Sequence, residues 1–288
     1  MRDLQAALER ELGVRVEHLR AVTGGDINDS YLAVLGGGDR VFVKTSRHAL
    51  PGMYASERRG LDWLREAEAL RIPECLACAD DVGSPRFLAL EWIEPGHRRP
   101  DFEPRLGRGL AHLHQAGAAG FGLDHDNFIG PLPQSNEAAP TWPIFYGERR
   151  LRPQLRRACD GAAVDGALRA RLEQLIDRLA DVSGPPEPAA RLHGDLWSGN
   201  VHTDERGRPC LIDPAVYGGH REIDLAMLQL FGSPGEAFFS AYEEVWPLAA
   251  GWRERVPLYQ VYPLLVHVNL FGSGYLPMLA ERVDRIPF

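Results

Sequence analysis

The chain has 288 residues, of which 44% are apolar and 25% are charged, and its formal net charge is −8. This composition is typical of a soluble globular protein with one large or two moderate domains. The sequence does not open with a charged-then-apolar leader, and it contains no run of about 18 apolar residues. We therefore expect a cytoplasmic protein without a membrane partner. The acidic balance argues against nucleic acid as a partner, because nucleic-acid-binding proteins normally present basic surfaces.

The first half of the chain predicts a small β-rich lobe. Apolar residues between Leu4 and Leu12 recur at helical spacing and stop at Gly13, which indicates a short amphipathic helix. The glycine-rich stretch Gly36–Asp39 is a hairpin signal between two strand-like segments. The predicted strands are Val14–Val22, Ser30–Leu35, Arg40–Lys44 and Arg86–Ile93, and a predicted helix covers Ala55–Leu70.

The second half is predicted to be mainly helical. A proline-rich break at Ser183–Pro188 interrupts the helical pattern. We place the boundary between the lobes near Glu94–Gly96, which gives domains 1–94 and 95–288. The expected fold class is α+β, with a small antiparallel sheet and a larger helical lobe. Helical periodicity marks segments near Leu106–His114, Leu168–Leu179, Ile223–Phe231, Glu236–Trp246 and Tyr259–Phe271.

The four cysteines favour structural thiols over a metal site. Cys75 and Cys78 form a C-x-x-C pair, whereas Cys159 and Cys210 stand alone. A zinc site would need a second nearby pair or an H-x-H partner, and a thioredoxin-type motif would need a helix that starts after a strand. Because the pair lies in a short apolar stretch, we expect buried thiols.

The segment Leu192–Asp213 carries the most chemical information. Asp195 is followed five residues later by Asn200, and thirteen residues after that by Asp213, with a predicted hairpin between Asn200 and Leu211. A carboxylate that positions a hydroxyl group, together with an amide and a carboxylate that hold magnesium, is the set used for phosphoryl transfer. His193 is expected to brace this loop from beneath.

Lys44 and Glu57 add a second part of the same chemistry. Lys44 ends an apolar strand, and Glu57 lies thirteen residues later, near the start of the next predicted helix. In kinases a strand lysine reaches the nucleotide phosphates and is held by a helix glutamate. Taken alone, the two residues are better explained as an edge-strand lysine in solvent and an unrelated surface glutamate, and only the downstream residues reverse this interpretation.

A glycine-rich loop between the first two strands is a candidate phosphate contact. Its residues are Gly24, Gly25, Asp26, Ile27 and Asn28. Glycines allow backbone N–H groups to approach a phosphate closely. The loop is not a Walker A motif, since it lacks G-K-[ST] and no helix follows it. By itself it could be a plain turn.

The stretch Glu91-Trp92-Ile93 ends the last predicted strand of the first lobe. A connector at that place can offer backbone groups to the edge of an adenine ring, and this depends on position more than on side chains. The alternative is a linker that binds no ligand.

Two other interpretations of the central segment remain open. His193 and Asp195 could form a buried structural pair, or they could bind zinc together with His202. Neither interpretation accounts for Asn200 and Asp213 together with the lysine and glutamate of the first half. The residues as a set favour an ATP-dependent and magnesium-dependent kinase.

The length of the segment after Asp213 limits the kind of substrate that can accept the phosphoryl group. A helical pattern begins at Ile223, after about ten residues, and neither a long activation segment nor an A-P-E motif intervenes. Protein kinases use such a segment to dock an extended peptide. We therefore expect the acceptor to be a small molecule, or a small modified group displayed on something larger.

The sequence resembles the fructosamine kinase (ketosamine-3-kinase) family of the aminoglycoside phosphotransferase and choline kinase-like superfamily. The resemblance covers nearly the whole chain, and its most specific motif is H-G-D-L-W-S-G-N at His193–Asn200. The matching segments are Gly24–Asn28, Val43–Lys44, Asn127–Gly130, Pro133–Gln134, Trp142–Gln154, Asp213–Ala215 and Gly218–Met227.

The resemblance implies a protein-kinase-like fold with two lobes. It also implies phosphorylation of the 3-hydroxyl group of fructosamines or ribulosamines, free or on protein lysines, with ATP and magnesium and without an obligatory protein partner. The resulting phosphate makes the adduct unstable, so the activity amounts to deglycation.

The resemblance assigns roles to individual residues. Asp195 becomes the catalytic base and Lys44 the phosphate contact, and the metal ligands become Asn200 and Asp213. Asp224 would steady the catalytic loop. Trp197 could stack on the sugar face or simply pack inside the loop.

Two positions depart from the family pattern. Some relatives carry a cysteine in the glycine-rich loop where this chain has Asp26, so we do not transfer a loop-disulfide switch. Ile223 stands where relatives often place an aromatic residue, which we expect to affect packing only.

Two functional alternatives remain open. One is a kinase of the same fold that acts on an aminoglycoside, choline or another amine or sugar. The candidate substrate segment Asp124–Leu151 mixes acids, aromatics and arginines, which suits one amine better than a polycation. The other alternative is a non-catalytic nucleotide-binding protein, against which the complete catalytic set argues.

Overall fold

A computed structural model of the chain describes residues 1–22, 28–80, 85–161 and 163–287. These residues form a small lobe around a five-stranded antiparallel sheet and a larger lobe that is mainly helical. The predicted α+β class is therefore confirmed. Within the described ranges, no helix is both long enough and apolar enough to cross a membrane.

The sheet of the small lobe has the spatial order β1-β2-β3-β5-β4, and each neighbouring pair is antiparallel. A helix covers each face of it. The strands are β1 (Val16–Ala21), β2 (Asp29–Leu35), β3 (Arg40–Thr45), β4 (Cys75–Ala79) and β5 (Phe87–Glu91), and the helices are α1 (Arg2–Leu12) and α2 (Met53–Arg65).

Strand β3 decides which side chains reach the interior of the molecule. Val41 and Val43 are buried in the same apolar cluster as Leu4 and Leu8 of α1. Because successive side chains of a strand point to opposite faces, Lys44 points to the other face of the sheet, which α2 covers. The alternation of this strand therefore directs the lysine toward the helix that carries a glutamate.

Strand β4 is absent from the sequence prediction. It is an edge strand, and Leu76 is 43% exposed within it. Cys75 and Cys78 are free and only half-buried, so the expectation of buried thiols was wrong. An edge strand leaves part of each side chain in solvent, which also explains the weak apolar signal.

The large lobe contains the predicted helices, with some different ends. Helix α10 begins at Trp252, whereas the prediction begins at Tyr259. This helix is buried along much of its length, so its sequence lacks the alternation that marks a helix start. The helices are α3 (Phe102–Gln115), α4 (Trp142–Phe145), α5 (Arg152–Asp160), α6 (Gly166–Asp177), α7 (Leu179–Val182), α8 (Glu222–Leu228), α9 (Glu236–Val245), α10 (Trp252–Phe271) and α11 (Leu276–Asp284); a π-helical turn, Tyr146–Leu151, joins α4 to α5.

Short antiparallel pairs hold the central segment of the large lobe. They pair β6 with β7, β8 with β11, and β9 with β10. Only the β9–β10 hairpin was predicted. The pairing of β8 with β11 places the start of the central segment beside the chain that follows Asp213. The strands are β6 (Asn127–Ile129), β7 (Leu132–Gln134), β8 (Ala190–Leu192), β9 (Val201–Thr203), β10 (Pro209–Leu211) and β11 (Tyr217–Gly219).

The two lobes are joined by a connector without helix or strand between Glu91, where β5 ends, and Phe102, where α3 begins. We propose that the domain boundary lies within this connector, between residues 94 and 95. Trp92 and Ile93 thus follow the strand instead of ending it as predicted.

Helices α3 and α9 pack so closely at Gly107 that a Cβ atom there would overlap the carbonyl oxygen of Phe238. We expect Gly107→Ala to lower the free energy of unfolding by about 1–3 kcal/mol, because overpacking outweighs the better helix propensity of alanine. Chemical denaturation measures this change. As a control, Gly166→Ala at the exposed start of α6 meets no atom within 4 Å and should leave stability unchanged or slightly raised. Equal stability of Gly107→Ala and wild type would contradict the prediction.

Candidate active site

A cleft of about 960 Å³ lies between the sheet of the small lobe and the central segment of the large lobe. Phe42 and Leu90 line one end, beside the connector between the lobes. Trp197 and Phe231 line another part. The charged and amide side chains that the sequence singles out line the same cleft: Lys44, Glu57, Asp195, Asn200 and Asp213.

The ammonium group of Lys44 joins the two lobes. Its Nζ lies 2.5 Å from Glu57 Oε1 and 2.7 Å from Asp213 Oδ1, and only 3% of the residue is exposed. Burial alone would lower the pKa of Lys44, but the carboxylates of Asp213 and Glu57 raise it above its ordinary value. The lysine therefore stays charged. The predicted contact between Lys44 and Glu57 is present.

Asp213 adopts a strained backbone conformation. Its φ angle is 55°, in the left-handed region that non-glycine residues rarely occupy. Hydrogen bonds on both sides hold it there, from Ile212 N to Asn200 O at 3.1 Å and from Ala215 N to His193 O at 2.9 Å. The side chain is 43% exposed, so its carboxylate is open to the cleft. Strain of this kind is concentrated at functional sites.

Asn200 ties the two aspartates together. Its Nδ2 donates to Asp195 O at 2.8 Å, to Asp195 Oδ2 at 3.2 Å and to Asp213 O at 3.4 Å. Among the hydrogen bonds between described residues, none uses Asn200 Oδ1. The amide oxygen is therefore available to a ligand, and Asn200 and Asp213 line the same cleft.

Asp195 is a half-buried residue on the wall of the cleft. Burial, together with the negative charges of Asp213 and Asp224, raises its pKa to about 7, although the hydrogen bond from Asn200 opposes this rise. A carboxyl group with a pKa near neutrality can take up a proton at physiological pH, which is the requirement for a general base.

His193 is a fully buried support of the loop. Its Nε2 donates to Ile212 O at 2.9 Å, and its Nδ1 accepts from Asp195 N at 3.3 Å. Burial lowers the pKa of the ring, so it is neutral. Because both ring nitrogens bond to the protein, His193 does not ligate zinc. Asp195 bonds through its side chain to Asn200, so the alternative of a buried His193–Asp195 pair does not hold either.

Asp224 lies behind the loop and is almost fully buried. Its carboxylate accepts from His193 N at 2.8 Å and from Gly194 N at 2.9 Å. This is the position that its predicted supporting role requires. His114 Nε2 lies 3.2 Å from the same carboxylate, and Tyr242 OH lies 2.7 Å from His114 Nδ1.

The supporting role of His114 was not predicted from the sequence. The available signal was a polar residue placed directly beside the apolar stripe of a predicted helix. Gly194 is a further structural requirement, because its φ is 83° and a Cβ atom would overlap the carbonyl oxygen of Ala215. The backbone of the catalytic loop at Gly194 therefore lies in direct contact with the chain that follows Asp213.

Four residues of the predicted phosphate loop, Gly24–Ile27, lie outside the described residues. Asn28 is described and lines the cleft. Its Oδ1 accepts from Tyr54 OH at 3.0 Å. Tyr54 lies one turn before Glu57 on α2, so the same helix holds both the lysine and the end of this loop. Tyr54 was not predicted, and its sequence offers no signal beyond this spacing.

The connector residues Glu91, Trp92 and Ile93 line the cleft, as their predicted role requires. The N–H group of Glu91 donates to Glu74 O at 2.8 Å. We therefore expect contacts to a ligand to come from the backbone beyond Glu91.

The remaining part of the cleft is aromatic. Trp197 is 37% exposed and packs edge to face on Phe231 at 6.2 Å between ring centroids. His267 lies 4.9 Å from Phe231 and 5.0 Å from Tyr275, again between centroids. Apart from Glu57, Glu91 and the two aspartates of the central segment, the described residues that line the cleft include no carboxylate. Trp197 is thus accessible to a ligand instead of being packed away.

The candidate substrate segment Asp124–Leu151 contributes little to this surface. Only Asn127–Gly130 lines the cleft. Arg150 is fully buried, and its guanidinium group lies 3.9 Å from the centroid of the Tyr217 ring. The acids and arginines of the segment therefore do not define the acceptor site, contrary to the sequence-based expectation.

The raised pKa of Asp195 predicts that this residue destabilises the protein at alkaline pH. The folded protein holds the proton up to about pH 7, while the unfolded chain releases it near the ordinary carboxyl pKa of 3.8. Stability therefore falls as pH rises through this interval. We expect Asp195→Asn to raise the free energy of unfolding at pH 8 by roughly 1 kcal/mol or more, and by less at pH 5, since one pKa unit corresponds to about 1.4 kcal/mol. Denaturation at both pH values measures the difference, and an equal effect at the two would refute the prediction.

Comparisons with known proteins find relatives that match nearly the whole chain. The sequence profile of the fructosamine kinase family matches residues 1–286. A protein-ribulosamine 3-kinase from Arabidopsis thaliana is 39% identical over 247 residues, which cover 84% of this chain and 74% of that protein. The crystal structure of a protein assigned as a fructosamine-3-kinase, from Thermobifida fusca, is 40% identical with a TM-score of 0.91 and covers 99% of this chain and 98% of its own.

A similarity of fold alone extends further. A mutant of the aminoglycoside phosphotransferase APH(4)-Ia is 20% identical with a TM-score of 0.63, over 98% of both chains. The predicted fold, with a small antiparallel sheet and a mainly helical remainder, is shared with these kinases. On the match along its whole length, this chain belongs to the fructosamine kinase family.

Proposed function

We propose that the protein is a ketosamine 3-kinase that transfers the γ-phosphoryl group of ATP to the 3-hydroxyl group of an amine-linked ketose. The observation that carries this proposal is the meeting of Lys44, Asp195, Asn200 and Asp213 in one cleft. Membership of the fructosamine kinase family supports the substrate class.

Lys44 and the connector would hold the nucleotide. A buried ammonium group that stays charged attracts phosphate oxygens strongly, because little water screens it. Asn28 lies at the end of the glycine-rich loop and on the cleft wall, where it can approach the same phosphates. The apolar walls at Phe42 and Leu90 suit a flat base beside the connector.

Asp213 and the Oδ1 of Asn200 fit a magnesium ion. Both are hard oxygen donors, and both residues line the cleft. Bound magnesium would neutralise negative charge on the phosphate oxygens. The strained conformation of Asp213 keeps its carboxylate directed to the cleft before any ligand arrives.

The chemistry of the transfer follows from the position of Asp195. The 3-hydroxyl oxygen of the ketosamine forms a bond to the γ-phosphorus, and the bond from that phosphorus to the bridging oxygen of ADP breaks. The hydroxyl proton passes to the Asp195 carboxylate. Lys44 stabilises the charge that accumulates on the phosphate oxygens. Asn200 keeps Asp195 oriented through two hydrogen bonds.

The aromatic half of the cleft favours a ketosamine over an aminoglycoside. A polycation is best bound by several carboxylates, whereas a single protonated amine on a sugar can be bound by aromatic faces through cation–π interaction. Trp197 and Phe231 provide such faces close to Asp195. The proposed substrate class includes fructosamine and ribulosamine, free or on protein lysines. The proposed location of the protein is the cytoplasm.

Purified protein with ATP and magnesium should phosphorylate a small fructosamine or ribulosamine. We expect Asp195→Ala to reduce kcat by roughly 100-fold or more, because the proton acceptor is lost. A coupled ADP assay measures turnover, and circular dichroism checks the fold. Asp160→Ala, at an exposed position on α5, serves as the matched control and should behave as wild type. Turnover of choline or an aminoglycoside without turnover of any ketosamine would refute the proposed substrate.

The rate should depend on pH through Asp195. The carboxylate must be ionised to accept the proton, so kcat/KM for the ketosamine should fall as pH decreases through about 7. Magnesium would offset the charge of Asp213, so the midpoint should move to lower pH in the presence of bound nucleotide. Initial rates at limiting ATP give the midpoint of the protein without nucleotide, and initial rates at saturating ATP give the midpoint of the nucleotide complex. A rate that increases on acidification would show that Asp195 does not act as the base.

A further inference from the structure

Arg71 forms three ion pairs in the segment between α2 and β4. Its Nη2 lies 2.6 Å from Glu91 Oε1, and its Nη1 lies 3.2 Å from Asp204 Oδ2 and 2.8 Å from Glu205 Oε2. The arginine side chain is 30% exposed. One guanidinium group therefore joins the small lobe to the large lobe at a distance from the reacting groups.

The first partner belongs to the nucleotide end of the cleft. Glu91 is the last residue of β5 and the first residue of the connector that lines the cleft. Its N–H group donates to Glu74 O at 2.8 Å, and its Oε2 accepts from Glu74 N at 3.3 Å. The side chain of Glu91 is thus held on two sides, and Arg71 supplies one of them.

The other partners form the turn of the β9–β10 hairpin. Asp204 Oδ1 accepts from Arg206 N at 2.9 Å and from Arg208 N at 2.7 Å, which leaves Oδ2 for Arg71. Burial would raise the pKa of Asp204, but the N–H groups of Arg208 and Arg206 and the charge of Arg71 lower it. The turn therefore keeps a charged, buried carboxylate directed at Arg71.

This hairpin is the covalent link between the two proposed metal ligands. Strand β9 starts directly after Asn200, and β10 ends at Leu211, just before Ile212 and Asp213. The carbonyl oxygen of Arg71 accepts from Leu211 N at 3.0 Å. Arg71 thus contacts the base of the hairpin through its backbone and the turn through its side chain.

The two charge contacts between the lobes lie at different ends of the cleft. In the pairing of β3 with β5, Leu88 faces Lys44 and Glu91 faces Val41. Three residues of a strand span about 10 Å. Lys44 and Asp213 are the proposed ligands of the nucleotide phosphates and the metal, so their mutual contact would change when these bind. The ion pairs of Arg71 involve side chains without a proposed ligand, so they can persist.

We propose that Arg71 is a positioning residue that holds the base-binding connector at a fixed distance from the metal-binding hairpin and so prepares the cleft for the nucleotide. The proposal rests on the proposed function for the roles of Asn200 and Asp213. The opposite view is that Arg71 forms ordinary surface ion pairs, which contribute little. The two views differ in what a substitution does to nucleotide affinity.

The test compares Arg71→Met, which keeps the apolar stem, with Arg71→Lys, which keeps the charge. We expect Arg71→Met to raise the KM for ATP by about three- to tenfold and to leave the KM for the ketosamine unchanged, with Arg71→Lys in between. Calorimetry with ATP and magnesium, without ketosamine, should show the same loss of nucleotide affinity. Arg108→Met is the matched control, since Arg108 is an exposed arginine whose one bonded side chain among the described residues is Glu244, at 2.7 Å.

A second pair of variants examines the hairpin side. Glu205→Gln should weaken nucleotide binding in wild type but have no further effect in Arg71→Met, because the two residues act through one contact. Unchanged nucleotide affinity in Arg71→Met, or an equal rise in both KM values, would overturn the positioning role. If wild type fails to use any ketosamine but Arg71→Met still weakens nucleotide binding, the proposed substrate fails and the role of Arg71 stands.

Discussion

The buried charge of Lys44 is the constraint on which the site depends. A lone ammonium group in such a place would lose most of its hydration, and the two carboxylates beside it offset this loss. One comes from α2 of the small lobe and the other from the central segment of the large lobe. The alternation of β3, the position of α2 and the strained turn at Asp213 must therefore all bring their side chains to the same point. Any of the three would leave an unpaired charge if displaced.

Sequence patterns could predict the parts of this site that lie close together along the chain. Asp195 and Asn200 share one motif, and Lys44 and Glu57 share a strand and the following helix. The edge strand β4 was missed because half-exposed side chains weaken its pattern. Arg71 carried no signal, since its partners lie far away in sequence, and an arginine in a linker is unremarkable. The predicted phosphate loop, Gly24–Ile27, lies outside the described residues, so its role stays a prediction.

The support behind the loop is a buried and fully hydrogen-bonded group of side chains. Asp224 receives two backbone N–H groups, and His114 with Tyr242 fixes the carboxylate from the other side. Buried polar networks of this kind are stable only when each member is satisfied. The front of the loop is different, because Asp195 has a raised pKa and Asp213 a strained backbone. The hydrogen-bonded network behind the loop stabilises the site, whereas the residues in front of the loop carry the features that serve the reaction at a cost in stability.

The two ends of the β9–β10 hairpin have different roles: its base sets the spacing of the two proposed metal ligands, and its turn contacts the other lobe. A hydrogen bond from Ile212 N to Asn200 O closes its base, so the spacing of the two oxygen donors does not depend on the turn. The turn, in contrast, faces the other lobe through Asp204. Substitutions in the turn can therefore alter the contact between the lobes while the spacing of the two oxygen donors is preserved. Such a turn is a natural place for related chains to diverge, and for an engineer to tune nucleotide affinity without touching the reacting groups.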